Sequence, residues 1–370
     1  MNILIASGIF IPEIGGPATY ISNLAKEFIK LGHKVSVIAY SDQDSYDIDS
    51  DLSYKVFRIK RKNKLSNYFR YYKRLKELSK NEDFDILYAF DHFSAGIPVS
   101  CLAKKVNKPF IIRVGGDFLW EKMVNSGKCN VPLGEYYTMK KSFIEKIYLF
   151  IYQFVFNRAT KIIFNTQWQK KLYEDNFVLH NKKNIVINNF FIRNKIENKN
   201  LSSDEIIFAG RFIKVKNLEK LIKAFSKIET NKKLVLIGDG PEKAGLQDLA
   251  KNYKNISIEQ TLNAKKLAER VSKCYLFILP SLSELSPNTA LEALGLAKAV
   301  ILTKNNGLAD ELKKYFYLID PTSIDEITEA IKFLLEDKNY QDFLQKIELC
   351  IFDNSWSKIT HDHIKLFKSL

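Results

Sequence analysis

Residues 276–303 read LFILPSLSELSPNTALEALGLAKAVILT. Two short apolar runs, LFILPS and AVILT, enclose a segment in which Ser286 is a good N-cap and Pro287 a good first helical residue. A helix is therefore expected from about Pro287 to Leu296. Strand, helix and a second uninterrupted apolar strand make the repeating unit of a parallel sheet buried on both faces.

The same rhythm runs outward in both directions. NILIAS, KVSVIAY, DILYAF, PFIIRV, KIIFNT and NIVIN precede it, and EIIFAG, KLVLIG, ISIEQ and FYLID complete the second set. Two sets of alternating strands and helices predict an α/β architecture of two facing, Rossmann-like, doubly wound domains with a ligand cleft between them. The expected bounds are 1–192 and 193–355, with the polar stretch Ile192 to Asp204 as linker and a terminal helical segment over 356–370.

Composition agrees with packed domains: 46% of residues are hydrophobic and 13% aromatic. MNILIASGIF has no basic leader, and the longest apolar run, Ile147 to Phe156, covers about half of the roughly 20 residues a bilayer span needs. A cytoplasmic chain, soluble or peripheral on the inner membrane face, is expected. Cys101, Cys129, Cys274 and Cys350 are scattered and read as reduced thiols. The net charge of +15 is uneven, because residues 1–192 hold 29 Lys and Arg against 18 acids. Lys55 to Lys80 alone has eleven bases and one acid. A solvated helix face and a surface for anionic headgroups or an acidic acceptor both explain it. No nucleic-acid-binding motif accompanies the charge, so no nucleic-acid partner is expected.

In doubly wound sheets, ligands bind beyond the carboxyl ends of the strands. After the first strand comes Phe10 to Pro17 with the pair Gly15-Gly16, a turn that lets backbone N–H groups approach a ligand or simply turns tightly. The second domain opens with Gly210-Arg211 and then Lys216-Asn217, two cations suited to a diphosphate. Gly238-Asp-Gly-Pro241 follows the next strand and either lines the cleft or closes it. At the 287–296 helix, the N–H groups of Asn288, Thr289 and Ala290 add a further anion site, while Asn288 and Glu292 share one face. Carboxylates beside an anion suit hydroxyls instead. Glu284 is assigned to the sugar and Glu292 to a ribose diol, the pattern of a nucleotide sugar. The loop at Gln260 to Leu262 is expected to meet the base.

With these motifs in order, the chain resembles the retaining family-4 glycosyltransferases of GT-B fold. The resemblance rests on Gly15-Gly16, G-R-x4-K-N (Gly210 to Asn217), G-D-G-P, and P-S-x2-E-x7-E (Pro280 to Glu292). It implies that Arg211 and Lys216 bind the donor diphosphate, Glu284 the donor sugar and Glu292 the ribose. It also implies that the first domain takes the acceptor and that the 356–370 helix crosses back to it. Many members carry a histidine where this chain reads Val114-Gly-Gly-Asp117-Phe-Leu-Trp120-Glu121. This is similar to a branch with G-D-x-x-W-E, so Asp117 takes that place near the sugar, with Trp120, Glu121 and His92 as further candidates on the acceptor or sugar side. The expected activity is hexosyl transfer from a nucleotide-diphosphate sugar to a glycan or lipid-linked acceptor, in polysaccharide or glycolipid assembly. No cofactor or metal is expected. Asp42-Gln-Asp44 and Asp47-Ile-Asp49 read as a solvated acidic turn. A GT-B glycan phosphorylase and a basic membrane- or nucleic-acid-binding protein without transferase activity are the alternatives.

Overall fold

In the computed structural model, the apolar runs form strands, and the structure describes residues 1–13, 15–179, 184–192 and 203–370. The first sheet comprises β1 Asn2–Ser7, β2 Lys34–Ser41, β3 Lys55–Lys60, β4 Ile86–Ala89, β5 Phe110–Val114, β6 Lys161–Phe164 and β7 Asn184–Val186. The second comprises β8 Glu205–Ala209, β9 Lys233–Ile237, β10 Ile256–Glu259, β11 Leu276–Leu279, β12 Ala299–Thr303 and β13 Tyr317–Ile319. Their orders are β3-β2-β1-β4-β5-β6-β7 and β10-β9-β8-β11-β12-β13. Every pairing is parallel. Each sheet therefore reverses its winding once, between β1 and β4 in the first and between β8 and β11 in the second. Those switch points are where doubly wound sheets leave a crevice for ligands.

One strand was hidden in the basic stretch. KVFRIK pairs with β2 as the edge strand β3, so Lys55 to Lys80 is a strand followed by the helix Lys64–Asn81, not one helical face. The bases of this strand, and Arg61 after it, are paired. Arg58, buried and lying over the Phe10 and Tyr46 rings, takes both carboxylate oxygens of Asp49, while Arg61 pairs with Glu13 and Asp42, and Lys60 with Asp44. The acidic turn is thus not simply solvated: it neutralises the edge strand. Edge strands tolerate such charges because one side meets no further strand.

The contacts divide the chain into two units. One holds Met1–Asp117, Lys140–Asn189 and Ser355–Leu370, the other Phe118–Met139 and Phe190–Asn354. The segment Phe118–Met139 thus belongs with the second sheet although it lies early in the chain. In the first unit, the C-terminal helix Trp356–Phe367 packs on the helix Gly16–Lys30 through Phe28–Phe367 and Tyr20–Trp356 ring contacts. The linker expected at Ile192 to Asp204 falls at 193–202 outside the described residues.

Candidate active site

In the second unit the loops after β8 and β11 meet at the switch point. After β8 the chain turns through Gly210 and Arg211 into a short 3-10 turn, Lys214–Lys216. Asn217 ends that turn in the left-handed region (φ 58°). Its side-chain amide donates to the carbonyls of Pro280 (3.2 Å) and Pro321 (2.7 Å), and the Leu282 N–H donates to the Val215 carbonyl at 2.9 Å. These bonds clip the first loop onto the second.

The clip brings Lys216 against Glu284, with Nζ 2.5 Å from Oε1, and Ser281 Oγ donates to the same carboxylate oxygen at 2.6 Å. Both side chains are largely shielded, at 21% and 11% exposure, which strengthens the pair relative to one in open water. Glu284 is also fixed through its backbone. Its N–H donates to Asn305 and its carbonyl accepts from Gly307, each at 2.9 Å, so the Asn305-Asn-Gly307 loop after β12 extends the sheet by one bridge. Sequence reading assigned Lys216 to phosphate and Glu284 to hydroxyls separately. The fold makes them one unit.

Arg211 differs. It is exposed, and among the described residues it makes no ion pair. The G-D-G-P turn supports it from behind: Gly210 N–H donates to Ile237, Phe212 N–H to Asp239, and Glu242 N–H to Phe212. A Cβ on Gly238 would lie 1.9 Å from the Gly210 carbonyl oxygen, so only glycine allows this approach. Gly238 thus acts through the arginine loop.

The helix between β11 and β12 runs Asn288–Gly295 with Pro287 as N-cap. Ser286 is not the cap. Its hydroxyl donates to Asn288 Oδ1 at 3.1 Å, while the Asn288 N–H donates back to the Ser286 carbonyl at 2.9 Å. Pro287 takes the cap position because its carbonyl accepts the first helical bond, from Leu291. The Asn288 N–H is therefore used, and Thr289 and Ala290 carry the N–H groups at the open helix end. Glu292 lies one turn on. Burial raises its carboxyl pKa above the ordinary range, while part of the residue stays open to solvent. Leu262, just after the edge strand β10, is half-buried against the core of the second unit.

In the first unit, Gly15 caps the helix Gly16–Lys30, which has no acid in its first turn and no side-chain cap. Asp117 is fully buried, and its carboxylate accepts from the Tyr173 hydroxyl at 2.9 Å. His92 is also buried, its ring 4.1 Å from that of Tyr152, and burial lowers its pKa to about 3. Trp120 and Glu121 sit in the second unit, where the buried Trp120 indole donates to the Val131 carbonyl at 2.9 Å. The same early segment reaches the glutamate loop, as the Leu133 N–H donates to Ser283 Oγ at 2.9 Å.

Two family models tile the chain: Glycosyltransferase Family 4 over residues 14–192 and Glycosyl transferases group 1 over residues 190–347. The chain belongs to the family-4 glycosyltransferases. An uncharacterized glycosyltransferase of Methanocaldococcus jannaschii is 26% identical over 84% of this chain and 81% of its own length. The N-acetylgalactosamine-N,N'-diacetylbacillosaminyl-diphospho-undecaprenol 4-alpha-N-acetylgalactosaminyltransferase of Campylobacter jejuni is 27% identical over 57% of this chain and 60% of its own. Among solved structures, sucrose-phosphate synthase from Thermosynechococcus elongatus superposes with a TM-score of 0.77 at 15% identity, covering 100% of this chain and 99% of its own. Anabaena Alr3699/HepE, solved with UDP-glucose, gives 0.76 at 15% identity over the full length of both. These likenesses establish the GT-B fold of this glycosyltransferase.

Asn217 and Ser283 are the residues whose roles sequence reading missed. Asn217 had a signal, since an asparagine directly before a helix often takes a left-handed conformation; its two carbonyl partners had none. Asn217→Gly retains that backbone freedom while deleting both bonds. It is expected to cost roughly 1–3 kcal/mol in urea unfolding, and a loss under about 0.5 kcal/mol would mean the clip is incidental.

Proposed function

We propose that this glycosyltransferase moves a hexose from a nucleotide-diphosphate sugar to a glycan or lipid-linked acceptor with retention of anomeric configuration, in assembly of a cell-surface polysaccharide or glycolipid. The observation that carries it is the switch-point constellation of the second unit: exposed Arg211, the Lys216–Glu284 pair and the open end of the 288–295 helix. A diphosphate needs the first and last of these, and hydroxyls suit the two glutamates. By their names, the Campylobacter relative acts on a diphospho-undecaprenol-linked acceptor, and a 28% identical Salmonella typhimurium relative is a lipopolysaccharide 1,2-N-acetylglucosaminetransferase. Both support an acceptor of that class.

The sugar–phosphate C–O bond breaks as Arg211, Lys216 and the helix-end amides take up the charge on the leaving diphosphate. The acceptor hydroxyl attacks from the same face and passes its proton to the departing phosphate oxygen. Glu284 holds Lys216 and a sugar hydroxyl in place, and the buried Asp117 acts as a positioning residue for the loop it opens. The enzyme works at the cytoplasmic face of the membrane.

No cofactor or metal takes part in this reading. Among the described residues no three His, Cys, Asp or Glu side chains gather as a metal site, and Asp42, Asp44 and Asp49 of the acidic turn pair with arginines and a lysine. Incubation with a panel of UDP- and GDP-sugars is expected to give protein-dependent nucleoside diphosphate release with at least one donor, undiminished by excess EDTA. No release from any donor refutes the transfer, and abolition by EDTA that magnesium restores refutes the metal-free reaction.

A further inference from the structure

The helix Phe143–Arg158 carries large apolar side chains around most of its circumference, a pattern that normally means burial on most sides. Here only the face with Tyr152, Val155 and Phe156 is buried, against His92, Tyr173 and Phe177. The other face is open: Phe143 is 78% exposed, Phe150 71%, Ile144 57% and Ile147 45%. Residues 143, 147 and 150 follow one another at single helical turns, so their side chains form one outward stripe. Large apolar groups in such a stripe mark an interaction surface. Lys140 and Lys146 are exposed beside it, and Glu145, the acid of this segment, is engaged in a capping box with Ser142. The Lys64–Asn81 helix belongs to the same unit and also leaves an apolar side chain open. That side chain is Phe69, 74% exposed, and Lys73, Lys76 and Lys80 are exposed on the same helix.

We propose that the outward face of the Phe143–Arg158 helix is a wedge that seats in the headgroup layer of an anionic bilayer, with the flanking lysines on its phosphates. The charge decides the occupant: apolar side chains rimmed by bases match an anionic lipid surface. No helix among the described residues is long and apolar enough to cross a membrane, so the contact lies in the interface plane. This deepens the lipid-linked-acceptor reading. It also relocates the contact, because Lys55, Arg58, Lys60 and Arg61 of the basic stretch are already paired with acids.

The test is flotation of the full chain with vesicles of equal parts phosphatidylglycerol and phosphatidylcholine. The triple variant Phe143→Asp, Ile147→Asp, Phe150→Asp is expected to bind at least about tenfold more weakly, with unchanged unfolding temperature and unchanged nucleoside diphosphate release on a water-soluble acceptor. Wild type is expected to keep part of its binding at 0.5 M salt, where charge contacts alone are largely screened, to about a 4 Å Debye length. Flotation of the triple variant like wild type, or no flotation of wild type, overturns the wedge. So does a wild-type dimer that the triple variant turns into monomer, since the stripe would then bind a second copy. Wild type that does not float but keeps sugar-nucleotide turnover sinks the wedge alone; wild type that floats but shows no turnover sinks the transfer reading alone.

Discussion

Arg211→Ala is expected to lower the rate of sugar transfer roughly 10²–10³-fold, chiefly in kcat. The size follows from what each cation is already doing. Lys216 is partly neutralised by Glu284 at 2.5 Å, and Ser281 binds the same oxygen. Arg211 has no carboxylate among the described residues and is held in an open position by the G-D-G-P turn behind it. Its charge is available to the leaving diphosphate, and its fork of donors can take two oxygens at once. Because that charge grows as the bond breaks, the loss falls on the chemical step more than on donor binding. Lys214→Ala, which removes an exposed cation three residues away, serves as control and is expected to change the rate less than about threefold. An Arg211→Ala enzyme within threefold of wild type would sink the assignment.

The second large effect is on stability. His92 and His363 are both buried, and burial lowers each pKa to about 3. At His363 the bonding fixes the neutral ring: Nδ1–H donates to the Ile359 carbonyl at 2.7 Å and the Tyr88 hydroxyl donates to Nε2 at 3.0 Å. At His92 the Nε2 atom has no polar partner among the described residues and lies among rings that include Tyr152 and Phe156. A lowered imidazole pKa means the unfolded chain binds a proton that the folded chain refuses. The stabilisation is complete above the unfolded value of about 6.5 and is lost as the pH falls toward the folded one. From pH 7 to 5 the two rings together are expected to cost about 4 kcal/mol, read as a lower urea midpoint. His92→Phe is expected to remove about half of that pH dependence. An unchanged slope in that variant, or a midpoint that does not move with pH in wild type, would contradict the burial account.

Much of the fold was readable because parallel strands covered on both faces must be continuously apolar. AVILT and NILIAS became strands residue for residue. KVFRIK escaped because it lies at an edge, where lysines and arginines alternate with apolar residues and counter-charges come from a distant turn. Ser286 misled for a related reason: its composition fits a cap, but its hydroxyl found the Asn288 side chain first.

The residue types of the site, and their order along the chain, were legible without any long-range information. Arginine, lysine and glutamates placed just after strands have one common destination in a doubly wound sheet, the carboxyl edge. What those residues do to one another was not legible. Lys216 and Glu284 are 68 positions apart, and their pairing depends on Asn217 reaching two prolyl carbonyls and on a bridge from β12's loop to Glu284. The placement of Phe118–Met139 with the second sheet, and the outward stripe on the Phe143–Arg158 helix, likewise depend on which faces the rest of the chain covers. Local patterning specifies elements and their chemistry, since it acts over a few residues. Pairing and exposure come from packing among segments far apart in sequence, and no local pattern encodes them.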